Sequence, residues 1–162
     1  MKKTLSSFSK IRFQDCDPFN HLNNSKYIDY LINAREDQIL EEYNLDMFAH
    51  IRKHNAAWVV TSHQISYLKP ALIMEEVSIQ SQLLHFGESN ILVEMRMLDK
   101  KGLKLKSVLW TQFTYFDLKS QKKASHPEDL MGLFSSVSNP IEQKTFTERT
   151  GSLILQTKEK AL

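Results

Sequence analysis

The order of predicted secondary structure constrains the fold most, because one long helix is followed by four β-rich segments. The helix begins near Asn23 and Asn24, which are good N-cap residues, and continues to about Tyr43 without glycine or proline. Its first half is apolar over a wide arc, and its second half carries more charge. Turn signals and changes of pattern separate the β-rich segments, which cover residues 58–68, 77–86, 91–98 and 103–117.

Strands that follow one another through short turns form an antiparallel sheet. A single apolar helix must bury its arc against that sheet, so we expect an α+β fold with the sheet wrapped around the helix. A further strand is predicted over residues 11–15, where Ile-Arg-Phe-Gln-Asp alternates, and Pro18 should end it.

The end of the chain is expected to differ from the rest. A short helix should begin at Pro127, with acidic residues in its first turn. The residues from 135 on are polar apart from 152–155, which predicts a docked strand or a loose tail. We therefore divide the chain into one domain over residues 1–135 and a C-terminal tail over residues 136–162.

Composition excludes several classes of protein. The chain has 162 residues, enough for one domain, and its formal net charge of +2 is too small to suggest a nucleic-acid partner. Cys16 is the single cysteine, which excludes an internal disulfide and a multi-cysteine metal site. No apolar run resembles a signal peptide or a membrane span, so we expect a cytoplasmic protein without membrane contact.

Residues 15–27, DCDPFNHLNNSKY, gather polar groups where the predicted strand meets the helix. If the alternation continues, Asp15 and Asp17 extend the apolar face of Ile11 and Phe13. The free backbone N–H groups and the positive dipole end of a helix stabilise developing negative charge. A carboxylate that faces such a helix end is suited to hydrolysis of an acyl group.

Simpler interpretations of the same residues stay open at this point. Asp17-Pro18 is typical of a turn, the two asparagines are typical of plain caps, and His21 can be a hydrogen-bonded loop residue. A metal site from Asp15, Asp17 and His21 lacks a recognised ligand spacing, so no metal is expected. Cys16 points away from the aspartates in this scheme and is not expected to be a nucleophile.

The segment resembles the active-site motif of the hydroxybenzoyl-CoA thioesterase family of hotdog-fold enzymes. The resemblance is carried by Asp15-Cys16-Asp17-Pro18, then His21-Leu22-Asn23-Asn24 and Tyr27, and HLNNSKY is also similar to acyl-acyl-carrier-protein thioesterases. A second match is Tyr67-Leu68-Lys69-Pro70-Ala71, similar to the family's Y-x-x-P-A strand end. The resemblance covers residues 8 to 133 and implies the hotdog fold.

The resemblance also implies roles for individual residues. Asp17 matches the catalytic carboxylate, as nucleophile or general base, and the backbone N–H groups near Asn23 and Asn24 match the site that polarises the thioester carbonyl. His21 takes a supporting role in orientation. Tyr27 lies beside the acyl pocket or in the plain core, and His63 lines the site across a subunit boundary or is an edge histidine.

Two positions depart from the family pattern, and two acidic residues of the helix offer an alternative. Asn20 stands where many relatives have glycine, and Phe19 stands where the carrier-protein branch has an active-site asparagine. Some hotdog thioesterases use a carboxylate within the helix, where Glu36 and Asp37 are found here, but their charged neighbours indicate a solvated face.

We therefore expect an acyl-CoA thioesterase that needs no cofactor and assembles as a homodimer or homotetramer with sites between subunits. An acyl-carrier-protein thioesterase, a hotdog hydratase or dehydratase, and a non-catalytic acyl-thioester binding protein are the alternatives. Five lysines could neutralise the phosphates of coenzyme A: Lys69, Lys100, Lys101, Lys104 and Lys106. The acyl group itself is left open by the sequence.

Overall fold

An antiparallel sheet forms the framework of the computed structural model, which describes residues 1–160 and 162. Its strands are β1 (Thr4–Lys10), β2 (Ala56–Tyr67), β3 (Glu76–Phe86), β4 (Asn90–Asp99), β5 (Leu105–Asp117) and β6 (Lys122–Lys123). They lie in the order β1-β3-β4-β5-β2, and the short β6 pairs with the end of β5. The four predicted strands are confirmed with small changes at their ends.

The helices are α1 (Tyr27–Tyr43), α2 (Met47–His54), α3 (Glu128–Val137) and α4 (Phe146–Lys160). Helix α1 packs its buried side chains, among them Leu31 and Ala34, into a core that includes Ile79, Val93 and Met95 of the sheet. The expected sheet around one long helix is therefore confirmed. Within the described residues, the helices lack the length and apolar content that crossing a lipid bilayer requires.

The strand predicted over residues 11–15 is wrong. The first strand lies earlier, and residues Phe13–Asp15 form a short 3-10 turn in which the Cys16 N–H donates to the Phe13 carbonyl at 3.1 Å. Ile11 is buried because its backbone exchanges hydrogen bonds with Met74 and Glu75, whereas Phe13 is 77% exposed. Ile11 is apolar because it packs beneath the loop that contains Met74 and Glu75, and not because it belongs to a strand. A local sequence pattern does not distinguish these two causes.

The predicted strand or loose tail at the C-terminus is also wrong, because residues Phe146–Lys160 form a helix. Leu153 of α4 packs in a buried cluster with Leu98, Leu105 and Val108 of the sheet. The boundary that we placed after residue 135 falls inside α3. Helix α2, which the sequence analysis did not predict, begins after Asp46, whose carboxylate accepts the Ala49 N–H at 2.9 Å.

Candidate active site

The polar segment forms a tight loop that is closed by its own backbone. The Asp17 N–H donates to the His21 carbonyl at 2.7 Å, and the Asn20 N–H donates to the Asp17 carbonyl at 3.0 Å. Asn20 has φ 61°, in the left-handed region that glycine and asparagine tolerate best. Asparagine is therefore compatible with the backbone conformation of this turn.

The carboxylate of Asp17 is held by the loop that follows it. Its Oδ1 accepts backbone N–H groups from Phe19 at 2.9 Å and from His21 at 3.1 Å. Its Oδ2 has no hydrogen-bond partner among residues 1–160 and 162, and the half-buried side chain lines a cleft. One oxygen thus fixes the orientation of the carboxylate while the other is available to a bound molecule.

The helix end beside this carboxylate presents a free donor. The Asn23 side chain caps it by accepting the Ser25 N–H at 2.9 Å, and the 3-10 turn Asn24–Lys26 runs directly into α1. The Asn24 N–H stands first in this turn and has no acceptor in the described part of the chain. An unpaired N–H at the positive end of a helix is suited to hold an oxyanion.

The cleft brings most of the predicted site residues together. It has a volume of about 220 Å³. The residues that line it are Asp17, His21, Leu22, Asn24, Tyr27, Tyr67, Leu68, Lys69 and Pro70. Asn23 is not among them, and its side chain acts as the helix cap. No acceptor or donor for the His21 ring is found within the described residues, so the ring is available to a substrate.

The cleft wall joins the two matched motifs through a pair of tyrosines. Tyr27 is 2% exposed, and its hydroxyl oxygen accepts the Ala71 N–H at 3.1 Å. Its ring centre lies 5.2 Å from that of Tyr67, whose hydroxyl donates to the Asn24 carbonyl at 3.1 Å. Burial raises the pKa of Tyr27, which favours its neutral form. We did not predict Tyr67 as a site residue, although it stands inside the second motif.

Asp15 does not join Asp17, so the expectation that both acids continue one face is wrong. The Asp15 Oδ2 accepts the Tyr30 hydroxyl at 2.7 Å in a separate groove between β1 and α1. The 3-10 turn breaks the two-residue alternation on which that expectation depended. No group of three or more potential metal ligands is found among the described residues.

The Cys16 thiol is not placed as a nucleophile. Its Sγ lies 3.4 Å from the Arg12 carbonyl, toward which the thiol donates. Desolvation and the charges of Asp17 and Asp15 raise the pKa of the Cys16 thiol, which disfavours the reactive thiolate.

His63 lies outside the cleft of its own chain. It stands on the exposed part of β2, an edge strand, and its Nδ1 is 2.9 Å from the Thr111 hydroxyl oxygen. Desolvation lowers the pKa of His63. Its role across a subunit boundary stays a prediction.

The candidate lysines separate into different groups. Lys69 is exposed and lines the cleft. Lys106 is only 6% exposed, donates to the Pro70 carbonyl at 2.8 Å and pairs with Glu75 at 2.9 Å. The prediction that Lys106 neutralises a phosphate is therefore wrong. Lys100 pairs with Glu76 at 2.7 Å, while Lys101 and Lys104 are exposed beside the β4–β5 turn.

Comparisons with known proteins agree with this architecture. The Thioesterase-like superfamily profile matches residues 11–134. A similar curated protein is the long-chain acyl-CoA thioesterase FadM of Escherichia coli (strain K12). The two sequences are 36% identical over 114 residues, which cover 70% of this chain and 83% of the relative. It is structurally similar to YbaW, a probable thioesterase from Escherichia coli, with a TM-score of 0.71, 25% identity, and coverage of 83% of this chain and 99% of the other. Slr0204, a 1,4-dihydroxy-2-naphthoyl-CoA thioesterase from Synechocystis, gives a TM-score of 0.75 at 14% identity and covers 85% and 99% of the two chains.

Proposed function

Since this chain belongs to the Thioesterase-like superfamily and is a thioester hydrolase acting on acyl-CoA, we propose that Asp17 is its catalytic carboxylate and that the acyl chain is long. The catalytic assignment rests on the different environments of the two Asp17 carboxylate oxygens. Oδ1 is held by two backbone N–H groups, and Oδ2 is unpaired within the described residues beside the cleft. The long acyl chain is supported by the activity named for the Escherichia coli relative.

The unpaired Asn24 N–H provides the second part of the chemistry. A thioester carbonyl oxygen placed at this helix end becomes more negative as the carbonyl carbon is attacked, and the donor and the helix dipole stabilise that charge. Asp17 Oδ2 either attacks the carbonyl carbon to form a mixed anhydride or takes a proton from the attacking water. In both routes the C–S bond breaks and coenzyme A leaves as a thiolate that acquires a proton. In the first route a water molecule then hydrolyses the anhydride, which releases the carboxylic acid and restores Asp17, whereas in the second route the attacking water itself supplies the oxygen of the acid.

The remaining residues of the cleft orient the substrate. The His21 ring lines the cleft within reach of the loop that carries Asp17, and it is suited to donate a hydrogen bond to the bound thioester. Tyr27 and Tyr67 form the wall next to the thioester. Lys69 is the lysine of this cleft, and its ammonium is suited to pair with a phosphate of coenzyme A.

Replacement of Asp17 by asparagine tests the assignment. The amide of Asp17→Asn keeps an oxygen for the Phe19 and His21 N–H groups but lacks the carboxylate, so the fold should persist and thiol release should fall by about a hundredfold or more. The matched control is Asp15→Asn, because Asp15 bonds Tyr30 in a different groove. Release of free thiol from acyl-CoAs of increasing chain length should be measured for the parent and both variants. Equal rates in the parent and Asp17→Asn would overturn the catalytic role, and a preference for short chains would overturn the long-chain assignment.

We also propose that the protein forms a homo-oligomer through β2. This strand is twelve residues long, lies at the edge of the sheet, and exposes Val59 and Val60 in its first half. An unpaired edge strand with exposed apolar residues is suited to pair with a second copy. Such pairing would extend the sheet and bring His63 of one chain toward its partner.

Sedimentation equilibrium tests the assembly. The parent should have the mass of a dimer or tetramer, and Val60→Lys should shift it toward the monomer because a charge blunts a strand edge. Leu155→Lys is the matched control, since Leu155 is exposed on α4. A monomeric parent would contradict the assembly.

A further inference from the structure

The connection between β2 and β3, residues 68–75, is bound to the loop that carries the proposed catalytic carboxylate. We call this connection the crossover segment. The Leu22 N–H donates to the Ala71 carbonyl at 2.8 Å, and the Ile73 N–H donates to the Asn20 carbonyl at 2.9 Å. These two bonds attach successive parts of the loop, so the crossover segment sets where the loop lies.

Ala71 also bonds the crossover segment to α1. Its N–H donates to the Tyr27 hydroxyl oxygen at 3.1 Å, and Tyr27 is the first residue of α1. The segment is therefore bonded both to the loop and to the helix. Because the carboxylate belongs to the loop and the Asn24 N–H belongs to the turn that begins the helix, the crossover segment sets the distance between these two groups.

Lys106 and Glu75 fix the crossover segment itself. Lys106 lies on β5, is 6% exposed, and its ammonium donates to the Pro70 carbonyl at 2.8 Å. The same ammonium lies 2.9 Å from Glu75 Oε1, and Glu75 Oε2 accepts the Leu72 N–H at 2.8 Å. One buried cation thus joins the first half of the segment, at Pro70, to its end, at Glu75.

The segment contains a strained turn at Met74. This residue has φ 61°, in the left-handed region that residues with a Cβ rarely adopt. The turn is closed by the Glu75 N–H, which donates to the Leu72 carbonyl at 3.0 Å. Such a conformation persists only where its surroundings hold it. The backbone of Ile11 and the ion pair between Glu75 and Lys106 are the contacts that hold this turn.

We propose that Lys106 and Glu75 are positioning residues for the hydrolysis, which hold the Asp17 carboxylate in place relative to the Asn24 N–H. The inference rests on the proposed function at Asp17. Neither residue is among those that line the cleft, so both act through the crossover segment. A misplacement of about 1 Å at a reacting group costs on the order of a hundredfold in rate, so loss of the ion pair should appear in kcat.

Lys106→Met tests the positioning role, because methionine keeps most of the apolar stem and removes the ammonium. In thiol release from palmitoyl-CoA, kcat should fall about tenfold and KM should change less than about twofold. Rates should be measured where urea unfolding shows the variant to be folded, so that lost stability does not contribute. Lys123→Met, at an exposed position of β6, is the matched control. An unchanged kcat in folded Lys106→Met would overturn the proposal.

Glu75→Gln keeps the test decisive if Lys106→Met does not fold. Its single amide oxygen replaces two carboxylate oxygens, so it cannot serve both the Leu72 N–H and the Lys106 ammonium without sharing. We expect kcat to fall several-fold in this variant. Equal kcat in the parent and in Glu75→Gln would also overturn the proposal.

Amide hydrogen exchange tests the same contacts without any turnover. In Lys106→Met, the Leu22 and Ile73 N–H groups should exchange about tenfold faster than in the parent, because the segment to which they are bonded opens more often. The Met95 N–H, in the middle of β4, should keep its protection. Unchanged exchange at Leu22 and Ile73 would overturn the proposal.

A double variant separates failure of this inference from failure of the catalytic assignment. Once Asp17→Asn has removed the carboxylate, its placement no longer matters, so adding Lys106→Met should lower kcat no further. A second full tenfold loss would show that Lys106 does not act through Asp17 and would overturn the proposal. Asp17→Asn with the activity of the parent would instead reject the catalytic assignment, and the exchange experiment would still report on the crossover segment.

Discussion

Glu94 of β4 and Arg149 of α4 form a buried ion pair that attaches the C-terminal helix to the sheet. The Arg149 Nε donates to Glu94 Oε2 at 2.8 Å, and Nη2 donates to Oε1 at 2.9 Å. Glu94 is 0% exposed and also accepts hydrogen bonds from Gln82 and Trp110. Arg149 lies beyond residues 11–134, to which the superfamily profile extends, so the attachment is made by a part of the chain outside that match.

We expect Arg149→Met to destabilise the fold by about 3 kcal/mol, because it removes both hydrogen bonds of Arg149 to the buried Glu94 and leaves Arg96, 3.6 Å from Glu94, as the remaining cation. The double variant Glu94→Gln/Arg149→Met should be no more stable than Arg149→Met, because it leaves the Arg96 guanidinium without its carboxylate. Urea unfolding measures both, with Lys158→Met on the exposed side of α4 as the control. A loss in Arg149→Met no larger than in the control would mean that the pair contributes nothing.

Stability should fall on mild acidification because of His126. Its Nε2 accepts the Trp58 indole N–H at 3.0 Å and its Nδ1 faces the Gly87 carbonyl at 3.0 Å, an arrangement that fits the neutral ring. Burial lowers the pKa of His126 in the folded protein, so below its ordinary value the unfolded chain binds more protons. The stability is therefore fully present above about pH 6.5 and is lost as the pH falls through the lower folded value.

Urea midpoints measured between about pH 7.5 and about pH 5 should show this slope. Burial also lowers the pKa of His50, which adds to the slope with the same sign. His126→Gln should reduce the slope because glutamine still accepts the Trp58 N–H but does not titrate, whereas His85→Gln, at an exposed position, should not. Identical slopes in the parent and His126→Gln would contradict the prediction.

Lys69→Ala should raise KM for an acyl-CoA about threefold and leave kcat nearly unchanged, as expected for an exposed charge that pairs with a phosphate. Added salt should raise KM of the parent more than that of the variant, because salt screens the interaction that the variant lacks. Lys101→Ala, in the β4–β5 turn and outside the cleft lining, is the control. A larger effect in Lys101→Ala than in Lys69→Ala would place the phosphates elsewhere.

Tyr27→Phe should cost about 1–3 kcal/mol of folding free energy, because it removes the acceptor of the buried Ala71 N–H. Tyr67→Phe should cost less, since the Tyr67 side chain is exposed and the Asn24 carbonyl it bonds is at the surface. Chemical unfolding of the two variants tests the difference. Equal losses would indicate that the Ala71 bond is replaced by water.

Some of the candidate site could be predicted from local sequence because its geometry is local. The loop around Asp17 is closed by hydrogen bonds within residues 17–21, and Asn23 caps the turn that begins at the next residue. Tyr67 and Lys69 reach the same cleft only through the pairing of β2 and through the Tyr27 bond to Ala71, which join residues about forty positions apart. A local sequence pattern carries no information about contacts between residues that are so far apart in the chain.

The sequence by itself determined the long helix α1, the strands β2 to β5 and the polar loop before α1, since periodicity, caps and turn residues act over a few positions. The tertiary structure decided that Asp15 and Asp17 lie in different grooves and that the C-terminal residues form helix α4. Asp15 turns toward Tyr30 because a 3-10 turn interrupts the expected strand, and Arg149 finds its carboxylate 55 residues away on β4. Those outcomes depend on contacts between segments that are far apart in the sequence. Such contacts form, and contribute to stability, only once the chain has folded.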